Sequence, residues 1–189
     1  MMNRGSGMTA PLLQVRELRV EVKGVPILRG VDLDFERGKV YAVLGPNASG
    51  KSTLAKTIMG LPEYEVKGGD ILFEGQSILD RSITERARMG IAYAFQTPPT
   101  IPGVTLEEFI CRVCPEYACR GSEDYLMAEQ CTCRRELYDD FDRLGIGNLA
   151  GRDLNDGFSG GEMKRSELFQ VLSMRPKIMF LDEPDSGLE

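Results

Sequence analysis

Gly45-Pro46-Asn47-Ala48-Ser49-Gly50-Lys51-Ser52-Thr53 is the stretch on which the fold of this 189-residue chain turns. It fits G-x-x-x-x-G-K-[ST], and its surroundings give the match weight. Val40, Tyr41, Ala42, Val43 and Leu44 form a short apolar run that predicts a strand ending at Gly45. After Gly50, Leu54, Ile58 and Met59 recur at helical spacing, and Gly60 followed by Pro62 marks a stop. Glycines between a strand and a helix let backbone N–H groups curl around phosphates, and the helix N-terminus adds favourable dipole charge. Lys51 has the reach for β- and γ-phosphates, and the Ser52 hydroxyl suits Mg²⁺. A glycine-rich surface turn would share the pattern without sharing the strand and helix around it.

Further along, Ile178-Met179-Phe180-Leu181 is a continuous apolar run, as expected of a strand buried on both faces of a parallel sheet. Asp182 and Glu183 follow it. Strand ends border the ligand crevice of open α/β sheets, which would set both carboxylates towards the phosphate loop. Asp182 suits a metal, directly or through water, and Glu183 suits a general base that polarises the attacking water. The plainer alternative is a pair of solvated acids before the turn Pro184-Asp185-Ser186-Gly187.

Between these lies Phe158-Ser159-Gly160-Gly161-Glu162. Ser159 and Glu162 read as a capping box, with Leu168, Val171 and Leu172 on the buried face of the helix that follows. Capping leaves the two glycines unexplained, because they weaken a first turn unless something must approach the backbone closely. This stretch resembles the signature motif of ABC-family ATPases, and the order of loop, signature, acidic strand and Ser186-Gly187-Leu188-Glu189 is that family's order. The resemblance implies an α/β P-loop NTPase of the ABC type: a central, mostly parallel sheet, an N-terminal antiparallel β lobe and an inserted helical subdomain at about 97–157. It also implies that two copies pack head to tail, with Ser159, Gly160, Gly161 and Glu162 acting on the partner's ATP. By the same resemblance Gln96 is the Q-loop glutamine, touching Mg²⁺ and the attacking water. From the residues alone it would be an ordinary polar strand end before the Thr97-Pro98-Pro99 hinge.

Narrower features resemble the SufC branch, whose members drive iron–sulfur cluster assembly. They are Glu63-Tyr64-Glu65-Val66-Lys67-Gly68-Gly69, Phe95-Gln96-Thr97-Pro98-Pro99 with Ile101-Pro102-Gly103-Val104, Phe158 to Arg165, and Asp182 to Leu188. That branch implies ATP and Mg²⁺ as cofactors and SufB- and SufD-like scaffold proteins as partners. The alternative is the nucleotide-binding subunit of a membrane ABC transporter, with the surface of residues 96–150 separating the two. A third is a fragment that binds nucleotide or partner only.

The chain departs from the family pattern in three places. Ala48 stands where many members have glycine, with nucleotide binding expected to survive. No aromatic lies near Val22 to Pro26, so base recognition is expected to be weak, with Val25 at best a hydrophobic contact. The chain ends at Glu189 and has no histidine, whereas the resemblance implies further elements and a switch histidine; nucleotide binding with poor hydrolysis is the expectation for a chain lacking them.

Composition bounds the rest. A net charge of −6 with no basic run argues against nucleic acid or an anionic membrane surface as primary partner. No apolar stretch approaches the about 20 residues of a membrane span, and residues 1–10 read as a disordered lead-in, not a signal. A cytoplasmic chain with a single nucleotide-binding domain over 11–189 is expected. Residues 11–37 predict antiparallel strands, with Val31, Leu33 and Phe35 on one face; Gly68 to Phe73 and Gly90 to Phe95 predict two more. Cys111, Cys114, Cys119, Cys131 and Cys133 fall in the helical region. Cys111 and Cys114, at i, i+3, share a helix face and offer a soft-metal or cluster site, yet the spacing fits no common zinc or ferredoxin framework. Small buried thiols are the simpler account.

Overall fold

Alternating side chains between Leu13 and Phe35 build a hairpin, as the pattern predicts. The computed structural model describes residues 10–95, 98–114 and 132–182. In it β1 (Leu13–Val22) and β2 (Val25–Phe35) pair antiparallel, from Leu13 opposite Phe35 to Val22 opposite Val25. Lys23 and Gly24 both take positive φ, the two-residue turn that matches strand twist. Asp32 and Asp34 face water while Phe35 is buried, with Val31 and Leu33 part-covered on its face. β3 (Tyr64–Phe73) joins the other edge of β1, and β4 (Gln76–Ser77) completes the order β2-β1-β3-β4. Leu13, Val15, Leu18, Val20, Ile71 and Phe73 form the apolar side of this sheet.

β1 bulges at Glu17, where φ is 43° and the N–H donates to Asp32 Oδ1 at 3.0 Å. Gly69 opposite it, at φ +84°, makes room: a Cβ there would lie 2.5 Å from the Glu17 carbonyl oxygen. Two helices belong to the same unit, which spans 1–92. α1 (Lys51–Met59) runs between left-handed glycines, Gly50 and Gly60, as the spacing predicts. α2 (Ile83–Met89) starts on a Ser82/Glu85 capping box.

The predicted strand Val40 to Leu44 does not form. These residues have no regular structure, and Val40 and Leu44 are 100% and 89% exposed. A β ladder needs a neighbour for its N–H and C=O groups, and none of the described sheets offers this segment one. Apolar composition alone does not hold a strand.

The second unit spans 93–189. β5 (Ile91–Ala94), whose Tyr93 and Ala94 open it, pairs with β8 (Ile178–Leu181). β6 (Ile101–Thr105) pairs antiparallel with β7 (Asp153–Leu154). α3 (Leu106–Val113) begins on a Thr105/Glu108 capping box, and α4 (Thr132–Arg143) leads to a 3₁₀ turn, Gly147–Leu149. α5 (Gly160–Ser173) follows the signature. Leu106, Ile110, Leu137, Phe141, Leu149 and Phe169 share one apolar cluster, with the Phe141 and Phe169 rings edge to face at 5.3 Å. Cys111 and Cys114 are buried in that cluster. Among the described residues no group of three or more His, Cys, Asp and Glu could hold a metal; Cys119 and Cys131 lie outside them, as does the side chain of Cys133.

Two expectations for this unit are corrected. Of the three residues placed on the buried face of α5, Val171 is buried, but Leu168 and Leu172 are 40% and 50% exposed. The inward face is instead Ser166, Glu167, Phe169, Gln170, Val171 and Ser173. Similarly, β8 is only part-buried and Leu181 is exposed, because its described neighbour is β5 alone.

Candidate nucleotide-binding site

Residues 45–49 turn back on themselves, the Ser49 N–H reaching the Pro46 carbonyl at 3.3 Å. Ala48 accepts a left-handed φ of 62° within this turn. Gly50 then starts α1 at φ 96°, and a Cβ there would sit 2.7 Å from Leu28 Cδ2. Position 50 thus demands glycine by its dihedral, and a Cβ there would also have to displace the end of the Leu28 side chain. Gly50 supplies no side-chain cap, and the first turn of α1 carries no acidic residue. Its N–H groups and dipole therefore favour an anion. Lys51 Nζ donates to the Gly45 and Pro46 carbonyls at 2.8 and 2.9 Å, which places the ammonium over the loop. Ser52 and Thr53 follow in the first turn of α1.

In the second unit Asp182 stands just past β8, where the sequence places it. Its Oδ2 accepts a hydrogen bond from the Tyr93 hydroxyl at 2.8 Å. Glu183 and Gln96, the two residues assigned to catalysis, lie outside the described residues. Their flanks are informative. Pro99, past the hinge, has its carbonyl held by Asn155 Nδ2 at 2.8 Å. Before the hinge, the Phe95 carbonyl accepts from Lys164 Nζ at 3.2 Å.

The signature forms the capping box read from the sequence. Ser159 Oγ accepts from the Glu162 N–H at 3.4 Å, while Glu162 Oε2 accepts from the Ser159 N–H and hydroxyl, each at 2.8 Å. The Ser159 N–H, then its hydroxyl, holds the Glu162 carboxyl below its ordinary value. Ser159 and Gly160 are exposed, so this helix start presents backbone to solvent. A Cβ on Gly161 would crowd Arg165 Nη1 at 3.3 Å. Phe158, just before the box, is buried beneath Arg152, whose guanidinium lies 5.2 Å from the ring centroid.

Sequence reasoning passed over a buried charge pair on α5. Lys164 Nζ lies 3.5 Å from Glu167 Oε2, and both side chains are largely covered. Burial raises the Glu167 carboxyl above its ordinary value, against the pull of Lys164 and a hydrogen bond from the Phe95 backbone. The i, i+3 spacing of opposite charges was the available signal, but such pairs are usually solvated.

A P-loop before a helix, an acidic residue past a strand and a glycine-containing capping box define the class: a P-loop nucleotide hydrolase of the signature-bearing kind. The chain belongs to the ABC transporter ATPase family, whose model matches residues 28–186, from β2 to beyond Asp182. It is an ABC-type ATPase. It is 44% identical over 179 residues to a probable ABC transporter ATP-binding protein of Streptococcus pyogenes serotype M3, covering 94% of this chain and 68% of that one. It is 42% identical over 183 residues to vegetative protein 296 of Bacillus subtilis, covering 96% and 69%. The probable ATP-dependent transporter ycf16 of Pyropia yezoensis is 40% identical over 184 residues, covering 96% and 72%. Among solved structures, cbiO1 from Clostridium perfringens, part of the ABC transporter complex cbiONQ, has a TM-score of 0.67 at 27% identity and covers 96% of this chain and 68% of that one. The ADP conformation of an ATP-binding cassette of an ABC transporter has a TM-score of 0.69 at 26% identity, covering 96% and 72%. Among the described residues no helix is long and apolar enough to cross a membrane.

Proposed function

We propose that this chain is the nucleotide-binding subunit of a membrane ABC transporter, turning ATP binding and hydrolysis into movement of a membrane partner. The observation that carries this reading is the family match over residues 28–186, which takes in loop, signature and acidic strand end together. The names of its relatives support the transporter setting. Lys51 and the N-terminus of α1 bind and orient the phosphates, within the loop Gly45, Pro46, Asn47, Ala48, Ser49, Gly50, Ser52 and Thr53. The donor set fits Mg²⁺: the Ser52 hydroxyl, the Asp182 carboxylate and Gln96 are hard oxygen donors of the kind it takes. When bound, the ion neutralises phosphate charge. Glu183 accepts the proton of the attacking water, and the exposed start of α5 acts on the nucleotide of a second copy. A cytoplasmic location and head-to-tail pairing belong to this proposal.

A second reading is an ATPase of the SufC branch, acting with SufB- and SufD-like scaffolds in iron–sulfur cluster assembly. Phe158 before the signature serine and Glu162 after its glycines favour it; both are structurally committed here, in the Arg152 contact and the capping box. Affinity purification of the full chain from its source separates the two: recovery of an integral membrane protein supports the transporter, and recovery of a non-membrane scaffold supports the assembly role. Titration with ATP tests what both share. Lys51→Ala is expected to weaken nucleotide binding at least about tenfold through loss of a charge-assisted contact, and unchanged affinity would overturn the site.

A further inference from the structure

Tyr93 lies one strand away from Asp182 and is 5% exposed. Its hydroxyl donates to Asp182 Oδ2 at 2.8 Å, fixing one oxygen of the carboxylate and thereby the direction of the other. The Tyr93 ring is itself held by Phe95, edge to face at 4.9 Å. Phe95 is held in turn by α5: its carbonyl accepts from Lys164 Nζ at 3.2 Å, and Lys164 is itself held by Glu167 Oε2 at 3.5 Å. Lys164 and Glu167 lie five and eight residues past Ser159, on the helix the signature begins. Phenylalanine would fill nearly the same volume, so what tyrosine adds is the hydroxyl that meets the carboxylate.

We propose that Tyr93 is the positioning residue of Asp182, and that Lys164 and Glu167 set Tyr93 by clamping the Phe95 main chain. The start of α5 and the metal-binding carboxylate of the same chain are thereby joined through two aromatic rings and three polar contacts. This rests on the reading of Asp182 as a Mg²⁺ ligand. Outer-shell partners of metal-binding carboxylates commonly carry about tenfold or more in metal affinity.

The experiment titrates ATP into the full chain by calorimetry, with Mg²⁺ and with EDTA, and titrates Mn²⁺ into the ATP complex by electron paramagnetic resonance. Tyr93→Phe is expected to weaken Mn²⁺ binding about tenfold and to leave ATP affinity in EDTA unchanged. In an Asp182→Asn background the same substitution is expected to have no further effect on Mn²⁺, an outcome a general packing defect would not produce. Lys164→Gln, which leaves Tyr93 in place, is expected to shift Mn²⁺ affinity in the same direction by about threefold, less than a whole charge-assisted bond because it acts on Asp182 only through Phe95 and Tyr93. Unchanged Mn²⁺ affinity in Tyr93→Phe overturns the proposal alone, as does an undiminished effect in the Asp182→Asn background. A wild-type chain that binds ATP equally with Mg²⁺ and with EDTA, and takes up no Mn²⁺, overturns the metal site and this proposal with it.

Discussion

Arg86 is buried, yet its guanidinium is not held by a carboxylate among the described residues. Its guanidinium donates instead to four carbonyls: Thr57 at 2.9 Å, Ile58 at 2.8 Å, Arg81 at 2.9 Å and Leu79 at 3.2 Å. Two of these belong to the last turn of α1, where carbonyls lack helical partners and a cation is favoured by the dipole. Burial lowers the guanidinium from its ordinary value. A planar fork satisfies several acceptors at once, which a lysine cannot imitate. Arg86→Met is therefore expected to cost about 3 kcal/mol, read as a lower urea midpoint, and Arg86→Lys should recover only part of it. Nothing in the sequence singles out this arginine among its neighbours Arg81 and Arg88. Its role depends on the carbonyls of a helix some thirty residues earlier, a long-range relation that no local pattern records.

The elements divide into those that carry their own stabilising contacts and those that borrow them. α1 and α5 were legible because their signals are local: left-handed glycines at both ends of α1, and a serine and glutamate three residues apart at the start of α5. The β1–β2 hairpin was legible from alternation and a turn of two residues. Val40 to Leu44 and β8 misled because a buried strand is defined by its neighbours, and composition cannot supply them. Leu168 and Leu172 misled similarly: helical spacing fixes which residues share a face, not which face is covered. At the level of the loop, Gly50→Ala tests the demand for glycine. It is expected to reduce ATP affinity at least about tenfold, since alanine is strained at φ +96° and its Cβ must displace the Leu28 side chain at the start of α1. Gly75→Ala is the control, with φ +79° and nothing within 4 Å of its Cβ. It should lower stability by about 1 kcal/mol and leave ATP binding intact, as titration calorimetry would show.

Across the whole molecule, acid sensitivity follows from two of the capping boxes. Hydrogen bonds from the Ser82 N–H and hydroxyl lower the Glu85 carboxyl, as those from Ser159 lower Glu162. A carboxyl lowered by folding adds stability that is fully present above its unfolded value, 4.5, and is lost as pH falls through the folded value. Glu167 runs the other way: burial raises it, so the folded state gives up stability as pH rises past 4.5. Stability of the full chain is thus expected to fall steadily below pH 4.5. The double variant Glu85→Gln and Glu162→Gln, which keeps a capping side chain without a titrating one, should show a shallower fall in urea midpoint between about pH 5 and pH 3. An identical slope would remove the capping boxes as its cause.

Lys51 carries a consequence for selectivity. Its ammonium is already spoken for by the Gly45 and Pro46 carbonyls, so a phosphate that recruits it does so by exchange, trading two neutral acceptors for a charged one. Weak, singly charged anions gain little from such a trade, whereas a triphosphate gains several charge-assisted bonds together. The loop therefore acts as a threshold, indifferent to the common anions of its surroundings and responsive to the dense charge of a nucleotide tail.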